Sequence, residues 1–197
     1  MIVTIERLLE NKTADKILLT GLPANAFLKA EGVNLGDKNE EMLAKEGDPE
    51  DYQEIKKLFE KYKDNIYLPS DFAQQSNTDR SEISVEDLPT QYNLFDIGEK
   101  TIDKYKNLIT NAKTVFLSGP CGVFENPVFM KGTQEIFTYV SNADVFSIVG
   151  GGHTVAAIEK LGIKDKISHI STGGGSLEKF MMGEKLPVVE ALKKVKI

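Results

Sequence analysis

The chain reads as an α/β fold, a three-layer α/β/α sandwich on a mostly parallel sheet, and three observations predict it. Short apolar runs are continuous rather than alternating, as in strands buried on both faces. Amphipathic segments with helical spacing separate them. Glycine-rich turns follow the later runs, at the carboxyl ends of strands where sheets of this kind hold their ligands. No repeat, low-complexity tract or linker interrupts the 197 residues, so 1–197 reads as one domain.

The elements follow in order. Ile2, Ile5, Leu8 and Leu9 have helical spacing, and Ile17, Leu18 and Leu19 make a buried strand. Residues 23–30 form a helix opened by Pro23, a residue suited to a first turn. Residues 50–62 form another, with Ile55, Leu58 and Phe59 as its stripe, and 66–68 a strand stopped by Pro69. The polar stretch 70–89, with Asn77, Asp79 and Ser81, reads as a surface excursion or hairpin. Beyond it come a helix at 97–112, a strand at 114–117, a helix at 129–140 and a strand at 145–149. A helix at 154–161, a strand at 167–170 and a helix at 176–182 complete the pattern. The first helix begins almost at Met1 without a leading strand, which suggests a piece of a longer protein.

Composition narrows the function. With 41% hydrophobic and 27% charged residues the chain is an ordinary soluble globule. A net charge of −6 argues against a general nucleic-acid or anionic-membrane surface. No apolar run has membrane-spanning length, and no signal peptide is visible. Cys121 is the single cysteine, so an intrachain disulfide and a cysteine zinc site are excluded, and a reducing cytosol fits. His153 and His169 are the only histidines, too few for a multi-histidine metal centre.

The chemistry concentrates in three turns: 118–125 (SGPCGVFE), 149–154 (VGGGHT) and 171–176 (STGGGS). A glycine turn between strand and helix leaves backbone N–H groups free and aligned with the helix dipole, which suits phosphate. In 149–154 the glycines admit a phosphate, and the Thr154 hydroxyl can cap the helix or bind an oxygen; a tight turn with a threonine cap explains the same residues. His153 can donate to a phosphate or face solvent. In 118–125 a rigid turn at Gly119 and Pro120 precedes Glu125, a carboxylate suited to a ribose diol, or else solvated. Cys121 has no neighbouring base and is not read as a nucleophile. In 171–176 free N–H groups open a helix and can stabilise charge on a moving phosphoryl group, or simply turn the chain. His169 is expected in the core or an interface, Gly21 either admits a flat base or turns the chain, and Asn25 is expected to make a local polar contact. Neither the P-loop nor the GxGxxG fingerprint is present, which counts against a nicotinamide dehydrogenase. A non-catalytic nucleotide-binding module stays open.

This arrangement resembles the C-terminal, nucleotide-binding half of the phosphoglycerate kinase family, nearly end to end. Residues 20–28 (TGLPANAFL) resemble its glycine stretch leading into A-x-x-F-L, and 95–102 (FDIGEKTI) its DIGPKT segment. Residues 118–125 resemble NGPxGVFE, 149–160 GGGDSxAAxEK, 165–175 DKISHxSTGGG, and Leu186 and Pro187 the closing KxLPxxxAL. The GGGHT form is the one associated with archaeal members. The resemblance implies a Rossmann-like fold with Gly21 beside an adenine pocket, Pro120 in the nucleotide-binding turn and Glu125 on the ribose hydroxyls. It implies Gly151, Gly152, His153 and Thr154 along the nucleotide phosphates, and Thr172, Gly173 and Gly174 at the transferred phosphoryl group. The implied reaction is phosphoryl transfer between ATP and 3-phosphoglycerate, giving ADP and 1,3-bisphosphoglycerate, with Mg2+, in the cytoplasm. The family's aspartate is replaced by His153, so the metal ligands stay unassigned; Ser118 replaces an asparagine. The family's GGxKxxxK lysine segment and its N-terminal, phosphoglycerate-binding half have no counterpart here. The expectation is weak adenine-nucleotide binding without turnover by this chain alone, with the full-length enzyme a monomer or homodimer.

Overall fold

The computed structural model describes residues 2–46, 51–76 and 79–194. Helix α1 (Ile2–Glu10) buries Ile5, Leu8 and Leu9, the spacing the sequence shows. Strand β1 (Ile17–Leu18) follows, then α2 (Gly21–Ala30), which opens two residues before Pro23. Helices α3 (Asp37–Glu46) and α4 (Asp51–Lys61) lead to β2 (Ile66–Tyr67), parallel to β1. Position 50, the expected first residue of α4, lies outside the described residues. Helix α3 is absent from the sequence reading. It is too polar to show a stripe; Leu43 and the amide of Asn39 are buried instead. The Asn39 amide donates to the carbonyls of Leu35 and Tyr92 and accepts from the Leu94 N–H, each at 2.9 Å.

The polar stretch is a hairpin, as expected: β3 (Asp71–Ser76) and β4 (Asp79–Ser84) pair antiparallel. Asn77 lies outside the described residues. The hairpin is more than a surface excursion, because β5 (Leu94–Ile97) pairs with the other edge of β3, Phe72 opposite Ile97 and Ala73 opposite Asp96. Ile97 therefore ends a strand instead of starting a helix, and Gly98 separates it from α5 (Glu99–Thr110). Gly98 offers α5 no side-chain cap, so Asp71 of β3 supplies one. Its Oδ1 accepts from the Thr101 N–H (2.8 Å) and its Oδ2 from the Lys100 N–H (3.0 Å).

The second half alternates as predicted: β6 (Thr114–Ser118), α6 (Lys131–Asn142), β7 (Phe146–Gly150), α7 (Gly152–Lys160), β8 (His169–Ser171), α8 (Gly174–Met181). The strands form one parallel sheet in that order. A last helix, α9 (Pro187–Lys194), was not expected; it buries no side chain. His169 is exposed on the edge strand β8, not a core histidine.

Apolar side chains gather in two clusters, one around Phe27, Leu35, Ile55 and Phe72, the other around Ile97, Phe137, Val149 and Ile158. Tyr105 of α5 ties them. Its buried hydroxyl lies 2.7 Å from the Leu19 carbonyl oxygen and 2.9 Å from that of Tyr67, sharing one proton between the ends of β1 and β2.

Candidate functional site

The three glycine turns leave the sheet from one level. In the β6–β7–β8 register Ser118 lies opposite Gly150, and Gly150 opposite Ser171. Parallel pairing thus puts all three turns along one edge, which separate glycine turns need not share.

They are joined to each other. The Thr154 side chain is buried, and its Oγ1 accepts from the Gly119 N–H at 2.7 Å. Thr154 therefore clips the second turn to the first and does not cap its own helix. Gly174 packs on Gly151 so closely that a Cβ would lie 2.9 Å from the Gly151 Cα and 3.0 Å from its N. Gly151 itself has φ +91°, open to glycine far more readily than to other residues. Gly21, at φ +58°, completes the rim: a Cβ on it would lie 3.8 Å from the Cys121 carbonyl oxygen.

Around this rim Thr172, Gly173, Gly152, His153 and Glu125 are exposed, Pro120 half-buried. Helices α7 and α8 begin here, and neither Gly151 nor Gly173 caps its helix with a side chain. First-turn N–H groups with no intrahelical partner are the donors an anion needs. His153 stands edge-on to Phe124 at 6.4 Å between ring centroids, next to Glu125. Lys160 donates to the Phe124 carbonyl at 2.9 Å. The structure thus brings the three turns and Gly21 together.

Cys121 is fully enclosed, and burial, reinforced by the charge of Asp96, pushes its thiol far up, opposed by a hydrogen bond with Thr20. A thiol so held is no nucleophile. Asn25 is buried too, and among the described residues its Oδ1 has no hydrogen-bond partner.

Periodicity passes over one further group. The Asp96 carboxylate is buried beneath the first turn, and its Oδ2 accepts from Arg80 Nη1 and from the Gly132 N–H, each at 2.7 Å. Its Oδ1 accepts from the Ile97 N–H at 2.9 Å. Burial lifts this carboxyl above its ordinary value in spite of those donors. An acidic residue inside a strand pattern shows no such role; its place in segment 95–102 is the only sign.

Residues 1–184 match the family model for phosphoglycerate kinase. The chain belongs to the phosphoglycerate kinase family. The phosphoglycerate kinase of Methanothermus fervidus is 39% identical over 99% of this chain and 47% of its own length. That of Methanosarcina mazei is 44% identical over 95% of this chain and 45% of its own. The crystal structure of phosphoglycerate kinase from Pyrococcus horikoshii OT3 superposes with a TM-score of 0.89 at 38% identity, covering 98% of this chain and 48% of that one. The chain spans about half the length of the curated relatives it matches.

Magnesium, which this family implies, is a hard cation that prefers oxygen. Among the described residues no three His, Cys, Asp or Glu side chains cluster to hold a metal, and His153 offers the rim a nitrogen. The donor set does not fit a protein-held magnesium.

Proposed function

We propose that residues 1–197 are the C-terminal, nucleotide-binding domain of a phosphoglycerate kinase, and that the chain holds ATP or ADP along the three glycine turns. The observation that carries this reading is the level row of strand ends, with Thr154 clipping one turn to the next and Gly174 seated on Gly151. The base lies beside Gly21 and Pro120, and Glu125 accepts the ribose hydroxyls. The N–H groups of Gly151, Gly152, His153 and Thr154 take the phosphates, and Thr172, Gly173 and Gly174 meet the transferred phosphoryl group at the start of α8.

The reaction is phosphoryl transfer between ATP and 3-phosphoglycerate, giving ADP and 1,3-bisphosphoglycerate. Magnesium would be held by the nucleotide and not by this chain, and would supply screening of phosphate charge. The work of these residues is positioning and charge stabilisation, as phosphoryl transfer requires. 3-Phosphoglycerate is held by a second domain outside this sequence, and closure of two domains completes the site. This chain alone therefore binds nucleotide weakly and does not turn over. The setting is the cytoplasm, with no nucleic-acid or membrane partner; no helix among the described residues is long and apolar enough to cross a membrane.

Calorimetric titration with ADP in magnesium buffer tests the reading. Saturable binding that weakens on Thr154→Ala and Glu125→Ala is expected. No binding at millimolar ADP defeats it for this chain, and ATP synthesis from 1,3-bisphosphoglycerate by the purified chain defeats the claim of inactivity.

A further inference from the structure

We propose that Asp96, gripped by Arg80, is a positioning residue for the 118–125 turn and so for the ribose side of the nucleotide site; this rests on the nucleotide reading above. Three contacts fix that turn from below. The Cys121 N–H donates to Thr133 Oγ1 at 3.0 Å, the Val123 N–H donates to the Phe95 carbonyl at 2.8 Å, and Gly122 lies on Asp96. The Gly122 approach leaves no room: a Cβ there would fall 2.7 Å from the Asp96 Cα and 2.8 Å from its Oδ1.

The two hydrogen bonds from Cys121 and Val123 both lead to Asp96. Phe95 precedes it in β5. Thr133 follows Gly132, whose N–H is bound to the Asp96 Oδ2 at 2.7 Å. The carboxylate therefore sets the distance between the end of β5 and the start of α6, and the turn spans that distance. Arg80 holds the carboxylate in turn. Its Nη1 donates to Asp96 Oδ2 at 2.7 Å, its Nη2 to the Ile97 carbonyl at 3.0 Å, and its Nε to Glu82 Oε1 at 3.1 Å. A forked guanidinium engaged at three points fixes orientation as well as charge. The β3–β4 hairpin, which by itself carries no part of the site, thereby supports the loop that presents Glu125.

The experiment compares the intact chain with Arg80→Met, Arg80→Lys and Asp96→Asn, and with Lys106→Met, which breaks the Lys106–Glu135 pair of 2.6 Å away from the turn. Amide hydrogen exchange and ADP calorimetry are read on each. Arg80→Met should raise exchange at Cys121 and Val123 about tenfold or more, without a matching rise at Val149, and weaken ADP binding about tenfold, the effect of losing a charged hydrogen bond. Arg80→Lys, keeping a cation for Oδ2, should recover much of both losses, and Lys106→Met should change neither. Should Asp96→Asn fail to fold, the Arg80 pair decides. Exchange that rises uniformly with lost stability, or ADP affinity unchanged while the turn loosens, overturns the proposal. Wild-type protein that binds no ADP defeats the nucleotide reading instead, which the Arg80 variants cannot mimic.

Discussion

Gly174→Ala isolates the contact that holds the second and third turns together. The residue opens α8 with a negative φ, so alanine is allowed there and only space is at issue. The new methyl carbon would lie 2.9 Å from the Gly151 Cα and 3.0 Å from its N, both backbone atoms that no rotamer can move. Reaching ordinary carbon–carbon contact requires the turns to part by roughly 0.5 Å or more. Overpacking of this kind costs about 1–3 kcal/mol. In a chain of this size each kcal/mol lowers Tm by about 2–4 °C. Misplacement by a fraction of an ångström should also weaken ADP by about tenfold. The neighbouring Gly175→Ala is the control: a methyl there meets nothing within 4 Å, and replacing a helical glycine should be neutral or stabilising by up to about 1 kcal/mol. Thermal unfolding and ADP calorimetry on the two variants read the difference. If Gly174→Ala melts and binds like Gly175→Ala, the turns are not held by this contact.

Other perturbations reach different parts of the molecule. Tyr105→Phe strips the shared proton from the Leu19 and Tyr67 carbonyls and should cost about 1–3 kcal/mol, read as a lower urea midpoint; an unchanged midpoint would mean that the hydroxyl does not join the two clusters. Asp96 should carry a pH signature. With its folded pKa above the ordinary 3.8, the native state holds the extra proton, so its contribution is greatest in acid and is lost as pH rises through the raised value. Wild type should therefore lose stability relative to Asp96→Asn as pH climbs from about 4, and parallel curves would contradict the raised pKa. ADP binding should tighten with added Mg2+, and indifference to the ion would mean that the turns need no added positive charge to hold the phosphates.

Much of this was legible in the sequence because buried strands and amphipathic helices announce themselves by period. The glycine turns were legible as turns, yet their mutual contacts were not. That Gly174 seats on Gly151, or that Thr154 reaches Gly119 and not its own helix, depends on strand register, which parallel pairing sets across tens of residues. Polar burial was the other blind spot. Asn39, Asp71 and Asp96 are buried among carbonyls and N–H groups, and a hydropathy pattern reads each as surface. Helix α3 shows no stripe for that reason, and β5 shows no strand pattern because Asp96 interrupts its apolar run, which leaves Ile97 to read as the start of the next helix.

On the proposed nucleotide reading, the electrostatics of the rim account for binding without catalysis. None of the three turns contains a lysine or arginine. Lys160, at the far end of α7, is committed to the Phe124 carbonyl. What remains for a polyphosphate is backbone N–H and two helix N-termini, each equivalent to roughly half a positive charge. Glu125 adds a negative charge beside them, and Glu178 stands 3.4 Å from Ser118. Against a nucleotide with several negative charges this is a deficit, since exposed partial charges are screened by salt. The balance has to come from cations that these turns do not supply, either an ion carried in by the nucleotide or basic side chains elsewhere. On that reading the rim cradles phosphates by backbone donors, and the charge that makes transfer fast arrives only when the rest of the site closes over it.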